Sequence, residues 1–201
     1  MMGSRSGVDA ARAALPPSHR PKAGHDWDTL ATALNDRGVL HVAPARERRS
    51  NAPTSTGELF ERLVTSPEPR LQQAAVLLLL THPDAADQAR AVVERLAEVQ
   101  RDRAMRRYVA AAAMQRMART RIDLQIGRRP EIPPGFIDEL GLPPLDTEFG
   151  RDTLIELARQ EEALYGYDAW GTYRALLDLF LAESRRAGWG KPCASAPTEP
   201  A

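Results

Sequence analysis

Apolar positions recur at helical spacing along most of the chain. The first such stretch, Asp26 to Asp36, sets Trp27, Leu30, Ala31 and Leu34 at i, i+3, i+4 and i+7 ahead of Gly38, which predicts one short helix. Val39 to Val42 reads as extended at best, and Arg46 to Pro53 as a charged linker. At Ser55-Thr56-Gly57-Glu58 the Ser-x-x-Glu spacing is that of a capping box, predicting a helix to about Val64 with Leu59, Phe60 and Leu63 inward. Pro67 stops it. Pro69 falls in the first turn of the next helix, where proline is tolerated, and Leu71 to Leu80 is apolar on nearly every face, so that helix is expected to be central. After Thr81-His82-Pro83-Asp84 a further helix carries Ala85, Ala89, Val92, Val93 and Leu96 on one stripe.

From Asp84 to Ile126 there is neither Gly nor Pro, and a single helix of that length would be exceptional in a globular domain. A break is expected at the polar run Gln100 to Asp102. The second piece, Asp102 to about Ile126, would turn Met105, Tyr108, Val109, Ala112 and Met117 inward, with Ala110 to Ala113 a narrow waist that another helix can approach. Arg129 to Pro144 is a Pro/Gly-rich loop with one short turn at Phe136 to Leu140. Two helices follow, about Arg151 to Leu164 and Asp168 to Arg186, the last burying Trp170, Tyr173, Leu176, Leu177, Phe180 and Leu181.

These elements predict an all-α fold, a compact helical bundle. The expected division is a disordered lead (1–24), a short helix with charged linker (25–54), a helical domain (55–186) and a disordered tail (187–201). Helices alternating with Pro-marked turns on either side of His82 suggest a HEAT-like hairpin. No second copy recurs at a fixed period, so the bundle is favoured over a solenoid. The low aromatic content of 5% and the scarcity of β-branched residues agree with helices.

Chemistry adds little. Cys193 is the single cysteine, which removes disulfides and thiolate metal cages within the chain. No signal-peptide core and no membrane-length apolar run is present, so a cytoplasmic protein without a membrane partner is expected. His19, His25, His41 and His82 lack ligand spacing; His25-Asp26-x-Asp28 is read as helix capping, and His82 as a turn residue that packs or caps. Glu161-Glu162 and Asp138-Glu139 are adjacent carboxylates that point to different sides of a helix, and all are expected on a solvated surface. There is no phosphate-binding Gly loop. Gly3-Ser4-Arg5-Ser6-Gly7 is not a nucleophile elbow. No catalytic, metal or cofactor-binding residue is therefore expected.

Charge is the strongest pattern. The 27 basic and 27 acidic residues cancel overall, but Arg90 to Arg129 holds eleven Arg against four acids, and Glu131 to Glu183 twelve acids against three Arg. Either the two segments pack on each other, which antiparallel helices of one bundle would favour, or each meets an outside partner. Arg103, Arg107, Arg116, Arg119 and Arg121 are the candidates for contact with a partner or with phosphate. The function expected is a non-catalytic protein-binding or regulatory module. The alternative is a nucleic-acid-associated regulator using the Arg-rich helix.

The segments Ser66-Pro67-Glu68-Pro69-Arg70-Leu71, Leu80-Thr81-His82-Pro83-Asp84, Ile137 to Pro143 and Trp170-Gly171-Thr172-Tyr173 resemble those of a group of uncharacterised bacterial helical proteins that accompany small nucleotidyltransferases in the manner of toxin-antitoxin pairs. The resemblance covers about residues 55 to 186 and rests on turns and caps. It implies an antitoxin-like companion whose partner is a nucleotidyltransferase, and it carries no catalytic residues.

Overall fold

The computed structural model describes residues 25–40, 53 and 55–186. The charged linker apart from Pro53, the two tails and the side chains of His25 and Asp26 lie outside the described residues. Eight α-helices and no strand occur among them: α1 (His25–Asn35), α2 (Thr56–Thr65), α3 (Pro69–Thr81), α4 (Ala86–Arg95), α5 (Glu98–Met117), α6 (Arg119–Ile126), α7 (Arg151–Tyr165) and α8 (Ala169–Arg186). None is long and apolar enough to cross a membrane.

Local signals set several boundaries. Ser55 Oγ accepts from Glu58 N at 3.0 Å at the start of α2, and Pro69 opens α3. Asp168 Oδ1 accepts from Gly171 N at 2.7 Å ahead of α8. Gly166, at φ 71°, ends α7 in the left-handed conformation that glycine adopts without strain.

Leu30, Ala31 and Leu34 of α1 are fully buried, and in α3 every residue from Ala74 to Thr81 is enclosed. The expected centrality of α3 is shared with α5, whose run from Ala104 to Gln115 is buried without interruption. α5 packs on α2, α3, α4, α7 and α8. The hairpin pairing expected around His82 is not among the principal helix contacts of the described residues. Instead, α3 and α4 each pack on both α2 and α5.

Two expected boundaries move. The break placed at Gln100 to Asp102 lies at Leu96 and Ala97, whose ψ values of 152° and 150° are extended. Exposed Gln, Arg and Asp are good or tolerable helix residues, so a polar run does not stop a helix. The helix expected to continue to Ile126 bends at Ala118 (φ −101°, ψ 11°) into α6, which turns to pack on α8.

The loop between α6 and α7 lacks backbone donors at Pro130, Pro133, Pro134, Pro143 and Pro144, and side chains from the bundle take up several of its carbonyls. Gln115 Nε2 donates to Pro130 O at 2.9 Å, Tyr108 Oη to Pro133 O at 3.0 Å, Arg90 Nη2 to Pro134 O at 3.1 Å and Thr153 Oγ1 to Pro143 O at 2.8 Å. The loop ends in a left-handed turn at Glu148 (φ 46°) and Phe149 (φ 57°), then Gly150 (φ 84°) lies against the alanine waist of α5. A Cβ at Gly150 would sit 3.1 Å from Ala113 O, whereas one at Gly166, also left-handed, would meet nothing within 4 Å. Gly166→Ala therefore carries left-handed strain alone, about 1 kcal/mol, while Gly150→Ala adds overlap with α5 and is expected to cost roughly 2–3 kcal/mol. Chemical denaturation of both variants checks the ordering; equal losses would contradict the close approach.

Candidate functional site

Gly150 lies beside Ala113 and Glu161 beside Arg107, so α7 runs antiparallel to α5. This brings the basic and acidic segments together. On α7, Leu154, Leu157, Ala158 and Glu161 form the buried i, i+3, i+4, i+7 stripe, so the carboxylate of Glu161 points into the interface. The expectation that Glu161 is solvated is corrected. Its side chain is 0% exposed, because Arg107, 6% exposed, meets it there. Glu162, Asp138 and Glu139 are exposed as expected.

Arg107 Nη1 lies 3.2 Å from both Glu161 oxygens and donates to Tyr173 Oη, also at 3.2 Å. Tyr167 Oη donates to Glu161 Oε2. One residue earlier on both helices, Arg106 bonds Asp102 at 2.9 Å and donates to Gln160 Oε1 at 3.1 Å. Two adjacent arginines thus read two adjacent residues of α7. Burial opposes charge on Arg107, but Tyr173 and Glu161 outweigh it and hold the guanidinium more firmly protonated than usual. Burial, and then the hydrogen bond to Glu161, push Tyr167 up to about 12. Burial likewise raises Tyr173.

The arginine row divides. Arg107 is interior, so it is not a surface contact for phosphate. Arg116 pairs with Asp146 and lies 3.8 Å from Glu131; Arg119 pairs with Glu131 and, at 3.1 Å, with Asp123; Arg121 lies 3.7 Å from Asp178. Apart from Asp123, these acids belong to the segment Glu131 to Glu183. Among the described residues Arg103 has neither an ion-pair nor a hydrogen-bond partner. His82 is the turn residue expected, its Nε2 bonded to Arg37 O at 2.9 Å.

Arg103 and Arg107 line a cleft of about 550 Å³ together with Pro67, Pro69, Gln72, Gln73, Tyr165 and Tyr167. It lies where the α2–α3 turn and the α7–α8 turn meet α5. The Tyr165 and Tyr167 rings stack with centroids 6.4 Å apart and planes 25° from parallel. Sequence reasoning did not single out Tyr165, Tyr167, Gln72 or Gln73. The available signal was Tyr165-Gly166-Tyr167, two aromatics flanking a helix-stop glycine. Among the described residues no group of three or more His, Cys, Asp or Glu is placed to hold a metal ion.

Comparison with known proteins finds no matching family model, no matching curated protein and no matching solved structure.

Tyr167 binds its proton more tightly folded, at about 12, than in an unfolded chain at about 10. Its contribution to stability is complete below pH 10 and lost as pH rises through 12. Denaturation midpoints should fall across that window, and less steeply in Tyr167→Phe, with Tyr173 and Tyr108 supplying the remaining slope. Identical slopes in parent and variant would contradict the Tyr167–Glu161 bond.

Proposed function

We propose that this chain is a non-catalytic, cytoplasmic binding and regulatory module that engages another protein through the cleft at Arg103, Tyr165 and Tyr167. The observation that carries this reading is the make-up of the cleft. Tyrosine and arginine are the side chains that most often supply binding energy at protein interfaces; here Arg103 is mounted on α5, Tyr165 closes α7, and Tyr167 in the turn after it is held by its bond to Glu161, so part of the ordering is done before association. Arg107, Arg116, Arg119 and Arg121 are engaged with the chain's own acids, which reduces the charge that this row offers to a phosphate backbone. The resemblance in the turns and caps supplies the class of partner, a small nucleotidyltransferase whose activity the bound module would restrain or direct.

Purification of the full chain from its native host tests the reading. A nucleotidyltransferase is expected to accompany it in near-equal amount through size-exclusion chromatography. Isolation of the chain alone would overturn the reading. Submicromolar affinity for nucleic acid by fluorescence anisotropy at about 0.15 M salt, falling steeply as salt rises, would put the Arg-rich helix in its place as a nucleic-acid contact.

A further inference from the structure

Two guanidiniums line the cleft, one turn apart on α5, and they differ in their surroundings. Arg107 is balanced by Glu161. Among the described residues, Arg103 is half-buried and unpaired, and no acid lines the cleft. The cleft therefore presents one uncompensated positive charge with a buried carboxylate close behind it. That arrangement suits a single negative charge. A phosphate dianion would bring surplus charge toward Glu161 and would need a second free cation, which Arg107 does not offer. A carboxylate matches the planar fork of one guanidinium.

The other walls extend the match. Gln72 Nε2 is committed to Ser66 O at 2.7 Å, but Gln73 has no hydrogen-bond partner among the described residues, leaving both a donor and an acceptor for a peptide group. The stacked tyrosines and the two prolines offer apolar surface beside the charge.

We propose that the cleft recognises an acidic peptide segment of the partner protein, an Asp or Glu carboxylate seated on Arg103 with its flanking peptide group on Gln73 and a neighbouring apolar side chain on Tyr165 and Tyr167. This rests on the reading of the chain as a protein-binding module. It adds the chemistry of the bound segment.

Benzoate is the first probe, since it joins one carboxylate to one flat ring. Titrated into the full 15N-labelled chain, it should shift the Arg103 side-chain Nε–H resonance and those of residues beside Tyr165 and Tyr167. Benzamide and inorganic phosphate should leave them unmoved. Arg103→Gln should weaken benzoate roughly tenfold, with part of the loss recovered in Arg103→Lys. Equal shifts with benzamide, or stronger shifts with phosphate, would overturn the carboxylate assignment. Selection of random peptides on the immobilised chain should enrich sequences carrying Asp or Glu beside an apolar residue, and Arg103→Gln should lose them; enrichment of basic or uncharged sequences, or of none, would overturn it. If a nucleotidyltransferase accompanies Arg103→Gln as fully as the parent, this inference falls and the binding role stands. If the acidic peptides bind but no protein accompanies the parent chain, the binding role falls and the cleft chemistry stands.

Discussion

Arg107 and Glu161 are two opposite charges removed from water, each tolerated only because the other is there. Desolvation of either ion alone costs several kcal/mol, so a register of α7 on α5 that separated them would be strongly disfavoured. The neighbouring Arg106–Gln160 bond repeats the requirement one residue away. Tyr167 and Tyr173 then tie the α7–α8 turn and α8 to the same point. An apolar replacement of both partners is often as stable, so the pair's expected effect is on register rather than on the depth of the native well. The cleft owes its position to that register, because Tyr165 and Tyr167 stand at the end of the helix that the pair fixes.

The outer ion pairs play a different part. Arg121–Asp178 is long and exposed, and pairs of that kind contribute little individually. Together they join the basic segment to the acidic one. Among the described residues Arg103 takes no part in those pairs, and its position in the cleft separates it from Arg101 and Arg128, which lack an acid partner as well.

Much of the fold was legible. The cap at Ser55, Pro69 at a helix start, the all-round apolar face of α3 and the apolar stripes of α1 and α8 gave element type and many of the boundaries. The break at Leu96 was not, because Ala97 makes no side-chain cap and the turn there is imposed by packing α5 onto α2 and α3. The full enclosure of α5 was hidden as well, since beside the legible stripe of Met105, Tyr108, Val109 and Ala112 its buried run includes Arg106, Arg107 and Gln115, which residue type alone would place in water. Glu161 was misjudged on residue type although it completes the stripe begun by Leu154. The cleft could not be read from the chain, because its walls come from turns separated by about a hundred residues that only the tertiary packing brings together.

A double-mutant cycle on Arg107→Met and Glu161→Leu, read by chemical denaturation, tests the role of the pair most directly. Each single variant is expected to lose roughly 3–5 kcal/mol by leaving a buried charge unmatched, and the double variant to lose less than the sum by about 2 kcal/mol or more. Additive losses, or single variants within about 0.5 kcal/mol of the parent, would contradict it.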